Sequence, residues 1–233
     1  MKNSVLATIG SSRRERSVSV SDKTESARTS TGPLAKRIFD VSFAVTFLIL
    51  FMPLIVTSAI LLLAVQGRPI LIRHKRVGKD GSLFHCLKFR TMTTNAEEAL
   101  QAYLAVSATA RKEWEETRKL KEDPRITPVG RVMRKLSLDE LPQVINVVRG
   151  EMSLVGPRPI VLDEARFYGS QIQTYQSVRP GLTGAWQIGG RSDVSYSKRV
   201  QMDVDYVANW SLGRDFVILI KTVPALLNMR GSY

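Results

Sequence analysis

The chain has 233 residues, 44% of them apolar and 24% charged, an ordinary balance for a folded protein that excludes collagen, coiled coil and whole-chain disorder. Lys plus Arg exceed Asp plus Glu by 13, so the expected partner is anionic: a phosphorylated substrate, acidic lipid or nucleic acid. A single cysteine, Cys86, excludes an internal disulfide and a cysteine-cluster zinc site, and His74 and His85 lack metal-ligand spacing.

Residues 1–33 are rich in Ser, Thr and Arg and cannot bury enough surface to offset their ordering, which predicts a disordered basic tail. No apolar run with a small-residue cleavage site marks a signal peptide there. From Ile38 to Val65 the chain is almost purely apolar. As a helix this stretch would reach about 42 Å, more than the ~30 Å of a bilayer core, so it is expected to be membrane-embedded. Pro53 lies near its middle, where a missing N–H kinks or breaks a helix. Lys36 and Arg37 precede it, and Arg68, Arg73, Lys75, Arg76 and Lys79 follow. Positive charge on both flanks favours a segment that enters, bends at Pro53 and returns to the cytoplasmic face. A kinked single crossing is the alternative.

After Gly67 the pattern becomes that of a soluble domain. Residues 69–77 and 83–89 read as two short strands, with Asp80-Gly81 as the hairpin turn. An amphipathic, charge-laced helix is expected over 95–121, a second over 128–136, and a third from near 138–142 to Val148. The apolar run 215–227 is too short to span. It would lie in the membrane interface as an amphipathic helix or pack on the domain. The expected fold is therefore mixed α/β and mostly helical. It comprises a re-entrant membrane helix over 34–67 and a small cytosolic domain over 68–233 with a β-hairpin and interfacial helices.

Most of the chemistry lies between Asp123 and Ile160. Arg131, Arg134 and Lys135 share helical spacing, Asp139 and Glu140 are adjacent at a helix start, and Gly156-Pro-Arg158-Pro159 makes a rigid turn holding one guanidinium. Each piece has a bland explanation, and Ser137-x-x-Glu140 also matches a capping box. Together, two carboxylates beside several cations next to a membrane are the parts that bind a metal and handle a phosphate. Arginine neutralises phosphoryl oxygens bidentately, and a carboxylate can serve as the nucleophile that forms an acyl-phosphate. The rival class, a membrane-tethered nucleic-acid-binding or scaffold protein, accounts for the charge but leaves the Asp-Glu pair unexplained.

Six motifs occur in order: Lys36-Arg37-x-x-Asp40, Lys88-Phe-Arg-Thr-Met92, Ser137-Leu-Asp-Glu-Leu-Pro-Gln143, Met152-Ser-Leu-Val-Gly-Pro-Arg-Pro159, Arg179-Pro-Gly-Leu-Thr-Gly184 and Gln187-x-x-Gly-Arg191. Over residues 34–230 the chain resembles the bacterial sugar transferases, the monotopic phosphoglycosyl transferases that begin exopolysaccharide assembly. The resemblance implies transfer of a hexose-1-phosphate from a UDP-sugar to undecaprenyl (polyprenol) phosphate with release of UMP, at the cytoplasmic face of the bacterial inner membrane. It implies Asp139 as the nucleophile that carries the phosphosugar, with Glu140 as its acidic partner and Mg2+ held by both. Arg158 would hold the polyprenol phosphate, Lys88, Arg90 and Arg134 would add phosphate contacts, and the segment carrying Arg179, Gln187 and Arg191 would help form the nucleotide-sugar side. Membrane lipid is an implied partner and nucleic acid is not; a homo-oligomer is left open. His74, Met52 and Glu151 depart from residues usual in the family, namely Gln, Ser and Asp.

Overall fold

The computed structural model describes residues 32–117, 120, 122–189 and 194–227. The expected tail, apart from its last two residues, and the candidate Arg191 lie outside them.

The first helix, α1 (Gly32–Gln66), carries an apolar surface with no helix-breaking residue except Pro53, through which the helical assignment continues. It is long and apolar enough to cross a membrane. Its middle is bare, with Ile49 and Leu50 71–72% exposed. On either side of that bare stretch the helix is held by the domain. Ala44 is buried among Val144, Val147 and Leu154, while Leu62 is buried against Phe89 and Met133.

Strands β1 (Leu71–Val77) and β2 (Leu83–Phe89) pair antiparallel, from Leu71 opposite Phe89 to Val77 opposite Leu83. Asp80 and Gly81 both take positive φ, 55° and 73°, the conformation an Asp-Gly turn supplies at least cost. The single helix expected over 95–121 is instead two, α2 (Ala96–Val106) and α3 (Ala108–Thr117). Ser107 is extended between them, and its hydroxyl accepts from the Ala110 amide at 3.2 Å. A serine side chain that can cap a helix start competes with continuing the previous one.

Helix α4 (Pro128–Lys135) starts at Thr127, whose hydroxyl accepts from the Gly130 amide at 2.9 Å, with proline in the first turn. A Cβ on Gly130 would lie 2.1 Å from the Thr91 carbonyl oxygen, so only glycine lets α4 press against the end of the hairpin. A 3-10 turn over Leu138–Glu140 follows, then α5 (Gln143–Arg149). The capping box expected at Ser137 does not form. Ser137 is left-handed, with φ 55°, and its side chain caps nothing.

Strand β3 (Ser153–Val155) pairs in parallel with β4 (Gly181–Thr183). A 3-10 segment (Leu162–Gln171) and α6 (Ile172–Gln176) intervene, and α7 (Ala185–Ile188), α8 (Tyr196–Ala208) and α9 (Leu212–Leu227) complete the chain. The main core joins α1, β2, α5, β3, α8 and α9 through Ala44, Val144, Val147, Met152, Leu154, Tyr206 and Ile218.

Polar contacts fix the first turns of α1 beyond Lys36 to this core. Lys36 Nζ donates to Asp215 at 2.6 Å and to the Val155 carbonyl at 3.1 Å. Arg37 donates to the last carbonyls of α5, Val147 and Val148, at 2.7 and 2.9 Å, where cations and donors are favourable. Asp40 is buried and accepts from Ser153 Oγ and the Leu154 amide.

Candidate active site

The left-handed Ser137 turns the chain so that Asp139 and Glu140 stand between α4 and α5, facing one side of the hairpin. That side is set by strand pairing: residues opposite each other in the register share a face, so Ile72 with Lys88, His74 with Cys86 and Arg76 with Phe84 lie together. Asn146, wholly buried on α5, accepts from the Leu87 amide at 3.0 Å and donates to the His85 carbonyl at 2.8 Å. One side chain thus locks the edge of β2 to the helix that follows the acidic pair.

These elements surround a cleft of about 1300 Å³. Lys88 Nζ donates to Glu140 Oε1 at 2.5 Å. Burial opposes ionisation of Glu140, but the Lys88 charge and hydrogen bond, with Arg158 beyond, bring its carboxyl below the ordinary range. Asp139 goes the other way. Burial first, and the neighbouring Glu140 charge second, push its carboxyl up to about 6, against the pull of Lys88 and Arg134. The site thus sets two adjacent carboxyls apart, one firmly ionised and one held at high free energy as an anion, which is how an active site assigns different tasks to like groups.

The cations are arranged around this pair. Arg134 Nε donates to Thr91 Oγ1 at 2.8 Å, and burial lowers its pKa while Asp139 and Asp123 raise it. Arg158 lies 4.9 Å from the Trp186 ring centroid, and Arg199 lies 4.4 Å from the same ring. Among the described residues, both Nε atoms are buried without a hydrogen-bond partner, as are Trp186 Nε1 and Gln187 Oε1. Arg76 reaches Glu164 at 3.9 Å, and its pKa is lowered by burial and by Arg158. His74 lines the same cleft, and burial followed by the charges of Arg76, Lys88 and Arg134 lowers its pKa, keeping the imidazole neutral. Neutral-to-acidic centres flanked by orphaned guanidinium donors suit an anion with several oxygens.

Of the residues singled out from sequence, Lys88, Arg134, Asp139, Glu140, Arg158 and Gln187 line this cleft. Two arginines are spent elsewhere. Arg90 touches the cleft wall, but its guanidinium donates to the carbonyls of Gln66, Gly67 and Arg68 at the end of α1. Arg179 Nε donates to the Gly150 carbonyl at 2.6 Å, past the end of α5. Sequence reading missed Arg76, taken only as a flanking charge, and Arg199. Strand alternation could have found the first, since Arg76 stands two residues from His74 on one face. No sequence signal marks Arg199, whose place depends on how α8 meets Trp186.

The sequence profile of the family described as bacterial sugar transferase matches residues 31–229. The chain is 52% identical over 202 residues to exopolysaccharide production protein ExoY of Rhizobium meliloti (strain 1021), covering 87% of this chain and 89% of that protein. It is 48% identical over 198 residues to undecaprenyl-phosphate galactose phosphotransferase of Salmonella typhimurium (strain LT2), covering 85% of this chain and 41% of that longer protein. It is 38% identical over 210 residues to UDP-glucose:undecaprenyl-phosphate glucose-1-phosphate transferase of Caulobacter vibrioides (strain CB 15), covering 86% and 72% respectively.

Proposed function

The chain belongs to the bacterial sugar transferase family, and on that premise we propose that it is a sugar phosphotransferase of exopolysaccharide synthesis. It moves a hexose-1-phosphate from a UDP-sugar to undecaprenyl phosphate and releases UMP. The observation that carries this reading is the buried Asp139 beside the ionised Glu140–Lys88 pair, with Arg134 and Arg158 in the same cleft. An Asp held at raised free energy attacks the sugar-bearing phosphorus, and UMP leaves. The phosphate of the polyprenol then attacks the acyl-phosphate and frees Asp139. Arg134 and Arg158 hold the phosphoryl oxygens through both displacements.

Mg2+ fits this donor set. It commonly takes one or two carboxylates and completes its shell with water and substrate phosphate, and among the described residues no larger cluster of acids, His or Cys is available. Asp139 and Glu140 would hold it, and when bound it supplies positive charge to the phosphate oxygens.

The acceptor is a lipid, so the cleft must open at a membrane. Its walls include Phe43 and Phe47 of α1 and Leu219, Val223 and Leu226 of α9, and α9 bares Phe216, Ile220 and Val223. The re-entrant reading of α1 is supported by its two anchored ends: Lys36, Arg37 and Asp40 bond the same domain against which Ala59 and Leu62 pack. Pro53 removes a donor in the bare stretch, and Thr57 Oγ1 donates back to the Pro53 carbonyl at 2.8 Å, an arrangement that bends helices. The domain then lies at the cytoplasmic face of the inner membrane.

The test is UMP release by the purified chain given undecaprenyl phosphate and a panel of UDP-hexoses, with and without chelator. Continued release beyond one UMP per chain that needs both substrates and stops in EDTA is expected. Absence of release with every UDP-hexose would refute the assignment.

A further inference from the structure

The cleft has two unlike ends. At one, Arg158, Trp186 and Gln187 stand next to the apolar side chains of α9, and the Nε atoms of Arg158 and Arg199 have no hydrogen-bond partner among the described residues. At the other end, past Arg134, stand Thr93, Thr94, Trp114, Asp123 and Arg125. The two ends differ in charge. Asp123 takes the Arg125 fork almost entirely: its oxygens accept from Nε at 2.8 Å, from Nη2 at 2.7 Å and from the Arg125 amide at 3.0 Å. The Trp114 ring centroid is 4.9 Å from Arg125 Cζ and stiffens the fork further. Only Nη1 is left without a hydrogen bond among the described residues. Thr93 Oγ1, in the same wall, is buried with no hydrogen-bond partner among the described residues.

A rigid donor whose charge is already compensated, beside an unsatisfied hydroxyl, is poor at holding a phosphate and well suited to neutral hydroxyl groups. A nucleobase would call for an open aromatic face, and the Trp114 ring already carries a guanidinium.

We propose that this end is the hexose subsite, in which Arg125 Nη1 and Thr93 Oγ1 read ring hydroxyls and so set sugar specificity. The proposal rests on the phosphosugar-transfer reading above and deepens it. The chemistry requires two places. In the first displacement the bond from phosphorus to the UMP oxygen breaks as the Asp139–phosphorus bond forms. In the second, the polyprenol phosphate oxygen bonds phosphorus as the Asp139 bond breaks. UMP and the lipid phosphate therefore occupy one position in turn, opposite Asp139, while the hexose keeps its bond throughout and needs a place that neither visits. The cationic, lipid-facing end with Arg158 serves the exchange, and the hydroxyl-reading end serves the sugar. Arg134, influenced by both Asp139 and Asp123, marks the boundary where the phosphoryl group sits.

The experiment uses the full chain in detergent, with Thr93→Val and Arg125→Lys compared with the parent. Thr93→Val keeps the shape and removes a hydroxyl that bonds none of the described residues, so the fold should be retained even where Arg125→Lys disturbs it. Readouts are kcat/KM for UDP-glucose and UDP-galactose, their ratio, and inhibition by UMP. The expected result is a loss of about tenfold in kcat/KM for the preferred UDP-hexose, the scale of one hydrogen bond. The preference between the two sugars should narrow, and UMP inhibition should stay within about twofold of the parent. Unchanged kcat/KM and unchanged sugar preference in Thr93→Val would overturn the proposal. Equal loss of UMP inhibition and hexose use would overturn it by giving this end to the nucleoside. If the parent itself turns over no UDP-hexose, the transferase reading has failed and the proposal falls with it, a result separable from the other two because it needs no variant.

Discussion

Asp139→Asn should destroy transfer and at the same time make the protein more stable. Burial and the neighbouring Glu140 charge lift the Asp139 carboxyl from its ordinary 3.8 to about 6. At ~1.36 kcal/mol per unit, the ionised form costs the folded state at most about 3 kcal/mol. The side chain keeps some access to the cleft's solvent, so roughly half of that cost remains. A carboxyl whose folded pKa is raised destabilises only where it is ionised. The cost is absent below about pH 3.8, grows between there and about pH 6, and is constant above. Asn carries no such cost. Thermal unfolding in detergent at pH 7.5 should place the variant roughly 3–6 °C above the parent. The gap should shrink as pH falls through 6 toward 4.5, and also on adding Mg2+ at pH 7.5, since a cation compensates the same charge. A variant no more stable than its parent at pH 7.5, or a gap that ignores pH, would refute the account of Asp139 as a strained carboxylate. Near-normal turnover would remove it as the nucleophile.

Three further outcomes follow from the geometry. Arg158→Lys keeps the charge but loses the planar fork and its seat on Trp186. Loading of Asp139 from the UDP-sugar and its discharge to polyprenol phosphate should both fall by at least about tenfold, because both displacements place a phosphate at that end; unchanged rates of both half-reactions would place Arg158 elsewhere. Lys36→Met leaves the fully buried Asp215 with Tyr206 and Trp210 as donors but no cation. It should cost about 3 kcal/mol, measured by denaturant unfolding, with much of that restored by adding Asp215→Asn; no recovery in the double variant would show the ion pair is not the cause. Single cysteines in the tail and just after Gly67, in a Cys86→Ser background, should both resist an impermeant thiol reagent in intact cells. A tail cysteine that reacts from outside would make α1 a crossing helix.

Parts of this fold could be read directly from local chemistry. The hairpin was legible because Asp80-Gly81 can take positive φ at both turn positions, and strand alternation then fixes which residues face the acidic pair. The start of α4 was legible from Pro128, although its true cap, Thr127, is one residue earlier than the helix itself. The break at Ser107 was not legible, because the charge pattern continues through it and only the hydroxyl's bond to Ala110 reveals the restart. The failed capping box at Ser137 has a similar cause: the sequence pattern ignores backbone hand, and φ 55° turns that side chain away from the helix start.

The site was legible where chemistry demands a residue type and illegible where one type serves two purposes. An adjacent Asp139-Glu140 among cations has few explanations. An arginine can grip a phosphate or a helix-end carbonyl equally well, so nothing in the sequence separates Arg134 and Arg158, which keep their guanidiniums in the cleft, from Arg90 and Arg179, which bond the chain ends of α1 and α5. Arg76 and Arg199 were missed for the complementary reason, since burial beside Arg158 is a property of packing, not of the motif they sit in.

The central claim is a covalent phosphosugar on Asp139, and the direct measurement is to trap it. The purified chain is incubated with a UDP-hexose labelled in the sugar, Mg2+ and no lipid acceptor, then digested and analysed by mass spectrometry. One hexose-phosphate adduct is expected, located on Asp139, with one UMP released per adduct. The adduct should be absent in Asp139→Asn and discharged by adding undecaprenyl phosphate. Full transfer activity with no adduct formed before the acceptor is added, or an adduct on a residue other than Asp139, would contradict it.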